Sequence, residues 1–217
     1  QVAAPTRGSI VSADGRELAT SLEVARVIAT PYQIEDPRAT ARELHAVLSK
    51  ETDTTEKEIK ASLLRRGADG QLSGYSVIAT GVEPETAAKA QALGIEGITT
   101  APDTMRVYPD GSLASQLLGH QGDYGEPFGG VEASYDDTLK RGRDVDLTVD
   151  SAVQQELQNA LAKAVEKSKA KSAVGVVMRV DDGSILALAN TPAYDNNDFG
   201  DTPPEYQRDR VLTDPYE

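Results

Sequence analysis

The sequence has no cysteine and no tryptophan, and only two phenylalanines and two histidines. Without cysteine, disulfides, thiolate nucleophiles and cysteine-ligated metals are excluded. Eight tyrosines complete the aromatics, so the core is expected to be aliphatic. Positive charge is short as well: 22 Lys and Arg stand against 35 Asp and Glu, a formal net charge of −13. That balance argues against nucleic acid or an anionic membrane surface as the main partner, and the acidity reads as a solubility feature. No apolar run approaches the ~18 residues of a membrane helix, and no signal peptide is present. The first residue is Gln1 rather than Met, from which removal of something upstream is expected.

What remains is a soluble composition, 39% hydrophobic and 26% charged over 217 residues, enough for one large domain or two small ones. Ser9–Val11, a turn at Asp14-Gly15 and a return through Leu18 read as a hairpin, followed by a separate strand in "ARVIATP" that stops at Pro31. Asp36 and Pro37 open a helix with Ala41, Leu44, Val47 and Leu48 on one face. "TTEKEIKASLLRR" reads as a second helix, with Ile59, Leu63 and Leu64 aligned and Gly67 ending it. "GYSVIATGV" is a strand, "EPETAAKAQAL" a short helix stopped by Gly94, and "GIEGITTAPDTMRVYP" one or two strands. Short helices are expected at Ser112–Leu118 and near Val131.

"RDVDLTVDS" then reads as a strand leading into the strongest helix, Ala152 to about Lys167. Its apolar stripe is Val153, Leu157, Leu161, Ala164 and Val165, and Ser151 with Gln154 forms a capping-box pattern. After it, "AVGVVMRVDDGSILALAN" is a hairpin around Asp182-Gly183, apolar enough to be buried on both faces of a larger sheet. The remaining chain is too short to complete such a sheet. Its end, "RVLTDPYE", carries no stop signal: Asp214, Pro215 and Tyr216 read as the start of a turn.

Catalytic and metal constellations are scarce. His45 and His120 have no partner at ligand spacing, and no phosphate-binding glycine motif occurs; Gly119, Gly122 and Gly125 read as a loop. "YDNNDFGD" fails as a calcium loop, because counting from Asp195 puts Phe199 fifth and Tyr206 twelfth, where oxygen ligands are needed. It reads as a solvated Asx-rich turn. One Ser-x-x-Lys is present, Ser168 to Lys171, a spacing that brings nucleophile and lysine onto one helical face in serine acyl-transferases. It lies at the polar end of a helix without Lys-Thr-Gly or Ser-Asp-Asn elsewhere. The residues alone describe an α+β, elongated, non-catalytic module joined to the start of a second domain. The alternative is a self-contained serine acyl-transferase using Ser168 and Lys171.

Five segments, in order, resemble one family. "RGSIVSADGRELA", "RVYPDGSLASQLLGHQG", "GGVEASYDDTL", "LTVDSAVQQELQ" and "VVMRVDDGSILALANTPAYDNNDF" are similar to the N-terminal half of class B penicillin-binding proteins, the monofunctional transpeptidases of bacterial cell-wall synthesis. The resemblance implies a dimerisation or pedestal domain over residues 1–170 and an incomplete transpeptidase domain over residues 171–217. In the family, a segment like "RVLTDPYE" is followed by the catalytic Ser-x-x-Lys, so this chain is expected to be inactive alone. The parent would acylate its serine with a peptidoglycan stem peptide and would also react with β-lactams.

The implied partners are a membrane glycan polymerase of the SEDS type and other division or elongation proteins, with no nucleic acid and no cofactor. The implied location is the extracytoplasmic face of the cytoplasmic membrane, with an anchoring N-terminal helix absent from this chain. Two departures from the family pattern stand out: only "RGRDVD" links the "YDDTLK" and "LTVD" segments, and Ser12 stands where many relatives have Asp. Arg7, Gly8 and Glu132 are expected to anchor the module, Arg7 through a bidentate pair with Glu132.

Overall fold

The computed structural model describes residues 5–122 and 125–215. Gln1, and Tyr216 of the terminal turn, lie outside them. The fold is α+β, and the chain divides into two compact units, Gln1–Ser21 with Arg106–Glu217, and Leu22–Met105. In chain order the strands are β1 (Ile10–Val11), β2 (Glu17–Ala29), β3 (Ser76–Val82), β4 (Ile98–Val107), β5 (His120–Gln121), β6 (Pro127–Phe128), β7 (Val145–Asp146), β8 (Ala173–Met178) and β9 (Ile185–Thr191). The helices are α1 (Pro37–Leu48), α2 (Glu56–Leu63), α3 (Pro84–Ala92), α4 (Ser115–Leu118), α5 (Gly130–Ser134), α6 (Asp136–Leu139), α7 (Ser151–Ser168), α8 (Pro204–Gln207) and α9 (Arg210–Thr213).

In the unit of residues 22–105, β3 pairs antiparallel with β2 through Ser76↔Ala29 and Val82↔Ala25, and β4 also pairs with β2. Asp36 caps α1, its carboxylate accepting from the Arg38 and Ala39 amides. Thr55 and Glu58 cap α2 reciprocally. Leu44, Leu48, Ile59 and Leu63 from these helices are fully buried, with Val27, Ala29 and Val82 of the strands beside them. Burial on this scale stabilises by roughly 1.5–3 kcal/mol per large aliphatic side chain. Leu64 does not join that face: α2 ends at Leu63, so Leu64 turns outward and is 44% exposed.

In the other unit, β1 pairs antiparallel with β2 (Ile10↔Ala19) and parallel with β7 (Ile10↔Val145). Ile10, Leu18, Leu118 and Leu139 form its buried centre. α7 packs on the β8–β9 hairpin with Val153, Leu157, Leu161 and Val165 half-buried, whereas Ala164 is exposed. Helix and hairpin approach closely at Gly175, where a Cβ would lie 2.9 Å from the Leu157 side chain.

Several elements differ from the sequence reading. β2 is one strand of 13 residues rather than two: it pairs with β1 at Glu17 and Ala19 and with β3 from Ala25 to Ala29, and the polar Ser21 and Glu23 stay extended between those ends. Ala114 adopts a left-handed conformation at φ 55°, so the expected helix from Ser112 starts only at Ser115. The strand before α7 is only Val145–Asp146, and the cap of α7 is Asp150 rather than Ser151. Ser151 instead donates to Asp14 at 2.6 Å, and Gln154 is used elsewhere, exchanging hydrogen bonds of 2.9 Å with the Leu188 backbone in both directions. Nor is the hairpin buried on both faces. β8 alternates, leaving Val174, Val176 and Met178 exposed among the described residues.

Candidate functional site

Glu132 sits in the first turn of α5, which Gly129 and Gly130 lead into with positive φ. Its side chain is fully buried, and an ionised carboxylate taken out of water needs partners for every lone pair. Two arginines supply them. Arg7 donates through Nε (2.9 Å) and Nη2 (2.6 Å) to Glu132 Oε2, and through Nη2 to the Glu132 carbonyl at 3.0 Å. From the other side Arg106 Nε donates to Oε1 at 2.7 Å, and the Tyr108 hydroxyl donates to the same oxygen at 3.3 Å.

The node extends outward. Arg7 Nη1 reaches Asp136 Oδ1 on α6 at 2.6 Å, and Asp136 Oδ2 accepts from Lys140 at 2.6 Å. Arg106 Nη1 donates to the Gly8 carbonyl at 2.8 Å and to Ser21 Oγ at 3.1 Å. Its Nη2 is buried without a hydrogen-bond partner among the described residues.

Burial works against the charge on Arg7, yet the Asp136 hydrogen bond and the field of Glu132 outweigh it, and the guanidinium is held above its ordinary pKa. Burial would raise Asp136, but hydrogen bonds from Lys140 and Arg7 reverse that and keep it below the usual carboxylate range. The Tyr108 phenol is pushed far up, first by burial and then by the negative charge of Glu132.

Gly8 is part of the same construction. Its amide donates to the Leu139 carbonyl at 2.9 Å, and a Cβ there would fall 2.2 Å from the Arg143 carbonyl oxygen. The short 140–146 connection thus runs directly over Gly8. The structure brings Arg7, Gly8 and Glu132 together. Arg106, Tyr108 and Asp136 were not singled out from the sequence, although each lies within a segment quoted for the family resemblance.

Ser168 and Lys171 are not brought together as a site. α7 ends at Ser168, Lys169 turns left-handed at φ 55°, and the Ser168 hydroxyl donates to the Ala164 carbonyl at 2.7 Å. No hydrogen bond joins Ser168 to Lys171 among the described residues. The residues here that hold charge out of water do so against each other.

A second cluster was missed by sequence reasoning. Asn197 clasps the backbone of Tyr108, accepting from its amide at 2.9 Å and donating to its carbonyl at 2.8 Å. Asn196, 1% exposed, donates to the Ser115 carbonyl at 3.0 Å and to the Gly119 carbonyl. Gln116 Nε2 donates to the Pro192 and Tyr206 carbonyls at 2.9 and 2.8 Å. His120 stacks between Phe128 and Phe199, with ring centroids 5.3 and 4.1 Å away, and its Nδ1 lies 3.1 Å from the Tyr194 hydroxyl. Burial lowers the His120 pKa. "YDNNDFG" does hold an exposed Asx turn, the Asn197 amide donating to Asp195 Oδ1 at 2.8 Å, but its two asparagines and two aromatics also fasten the segment after β9 onto residues 108–128.

The family model of the penicillin-binding protein dimerisation domain matches residues 2–169. The chain belongs to that family. The curated relatives of this dimerisation domain include stage V sporulation protein D of Bacillus subtilis, 29% identical over 98% of this chain and 36% of that protein. The peptidoglycan D,D-transpeptidase FtsI of Escherichia coli is 27% identical over 100% of this chain and 41% of its own length. The chain thus spans about two fifths of the curated relatives it matches.

Solved structures share the fold. A peptidoglycan synthetase from Bifidobacterium adolescentis gives a TM-score of 0.64 at 23% identity, over 96% of this chain and 47% of that one. PBP2 from Helicobacter pylori, in its complex with MreC, gives 0.64 at 19%, over 91% and 43%. The similarity to class B penicillin-binding proteins runs along essentially the whole chain.

Proposed function

We propose that this chain is the non-catalytic pedestal portion of a penicillin-binding peptidoglycan transpeptidase of bacterial cell-wall synthesis. Residues 1–170 form the pedestal and residues 171–217 begin the transpeptidase domain. The observation that carries the reading is the fastening of the segment after β9 onto residues 108–128 by Asn196, Asn197 and Gln116. A support that positions a second domain needs such a directional polar joint where that domain begins. The exposed Val174, Val176 and Met178 face is the surface further strands of the transpeptidase domain would cover.

Arg7, Gly8 and Glu132 anchor the pedestal, holding its first strand to α5 and α6. The parent acts at the extracytoplasmic face of the cytoplasmic membrane, held by an N-terminal helix. Its partners are a SEDS-type glycan polymerase and other division or elongation proteins, and it acylates its serine with a stem peptide. The relative from Helicobacter pylori solved with MreC supports a partner-binding role for proteins of this fold.

A fluorescent penicillin tests the catalytic half of this reading. The 217-residue chain is expected to take no label, while a chain extended through the catalytic Ser-x-x-Lys, Ser-x-Asn and Lys-Thr-Gly elements is labelled. A covalent adduct on Ser168 would overturn the assignment. Co-purification of the extended protein with the polymerase tests the partner half, and loss of that association in an Arg7→Ala, Glu132→Ala double variant is the expected result.

A further inference from the structure

β3 is the outer strand of its sheet. It pairs with β2 along one edge, and among the described residues Val77–Gly81 make no backbone hydrogen bond to any other segment. A groove of about 610 Å3 runs there, lined by Val77–Gly81, by Met105 of β4, by the Glu51–Thr54 loop and by Glu58 of α2. Its charge is of one sign: Glu51, Asp53 and Glu58 line it, and no Lys or Arg does. Two of these carboxylates are held in position. Glu51 accepts from the Glu83 amide at 3.3 Å and from the Thr86 hydroxyl, and Glu58 accepts from the Thr55 amide at 2.8 Å. The groove also carries apolar surface, with Met105 40% exposed. Gly81, at φ +68°, leaves room for Met105, whose Sδ would stand 3.2 Å from a Cβ at that position.

We propose that this groove binds an extended segment of a partner protein carrying Lys or Arg at alternate positions, which adds to β3 as a further strand. An outer strand offers its unpaired amides and carbonyls to such a segment, and the period-two alternation of side chains gives specificity. One set of side chains meets the carboxylates while the other meets Val77 and Met105. A second copy of this chain is the poorer occupant, since edge-to-edge pairing would bring a second acidic rim onto the same strand.

The probe is a labelled peptide of alternating Val and Lys, with the alternating Val and Glu peptide as control, followed by fluorescence anisotropy and amide hydrogen exchange. The Lys peptide is expected to bind and to slow exchange at Val77–Gly81. Its affinity should fall roughly fivefold in Asp53→Lys, a substitution at an exposed loop position, and fall further at high salt. Thr80→Pro, which bars the central strand position, should abolish binding; Thr80→Lys keeps the amide and should weaken binding by charge alone. Equal binding of both peptides, or unchanged exchange at Val77–Gly81, would overturn the proposal. So would protection of those amides that appears with rising protein concentration and no peptide, which assigns the edge to a second copy.

Discussion

Replacing Glu132 by Gln keeps the volume of the side chain and removes its charge, leaving two buried guanidinium groups facing a neutral amide. Side-chain exposure is 7% for Arg7 and 3% for Arg106, so water does not replace the lost carboxylate. Arg7 keeps Asp136, and among the described residues Arg106 keeps the Gly8 carbonyl and Ser21 hydroxyl. Breaking a buried ion pair by removing one partner costs about 3–5 kcal/mol. At about 2–4 °C per kcal/mol for a chain of this size, the melting temperature should fall on the order of 6–20 °C.

The assay is thermal and guanidinium unfolding by circular dichroism, with hydrogen exchange to assign the transition. The loss belongs to the unit formed by Gln1–Ser21 and Arg106–Glu217, so early exchange should appear in α5, α6 and β1. Arg7→Ala should lower stability through the same contacts. A Glu132→Gln midpoint shift worth less than about 1 kcal/mol, or one confined to residues 22–105, refutes the idea that the node carries this unit.

Other perturbations separate the remaining parts of the argument. Gly8→Ala should lower stability by about 1–3 kcal/mol, because the added methyl meets the Arg143 carbonyl; unchanged urea denaturation would show that the connection moves aside freely. Asn197→Ala removes both bonds to the Tyr108 backbone and should cost about 2 kcal/mol, with faster exchange at the Tyr108 amide as the local readout. His120 has a folded pKa below its unfolded value near 6.5, so the unfolded chain binds the extra proton. Stability should therefore be full at pH 8 and fall as pH drops below about 6.5. His120→Phe should flatten that limb. A second loss at lower pH should follow from Asp14, whose carboxylate is held well down by the Ser151 hydrogen bonds.

The start of α1 was legible because its cap is local: Asp36 and Pro37 act within one turn of where they stand. The pairing of Arg7 with Glu132, 125 residues apart, was expected only through the family resemblance, since nothing in either neighbourhood demands the other. The alternative partners of Ser151 and Gln154 were illegible for the same physical reason. A capping-box pattern names residues able to cap, and Asp150, one place earlier, takes the amides first with a charged oxygen. Asn196 and Asn197 read as turn residues because asparagine hydrogen-bonds its own backbone in loops. Here their amides meet the backbone of residues 77 to 89 positions away, a choice decided by tertiary packing and carrying no local signal.

Tyr108 belongs to both clusters. Its hydroxyl donates to Glu132, while its amide and carbonyl are both held by Asn197. An anchor and a joint that share a rigid, buried residue should not fail independently, yet spatial intermediacy alone does not establish coupling. A double-mutant cycle between Glu132→Gln and Asn197→Ala measures it. If Tyr108 transmits position between them, loosening its ring also weakens the clasp on its backbone, and the second substitution costs less once the first is made. The interaction energy should then exceed about 0.5 kcal/mol, and should vanish in a Tyr108→Phe background, where the ring packs but its hydroxyl is gone. Costs that add within about 0.3–0.5 kcal/mol would make the anchor and the joint two separate devices that happen to touch one residue.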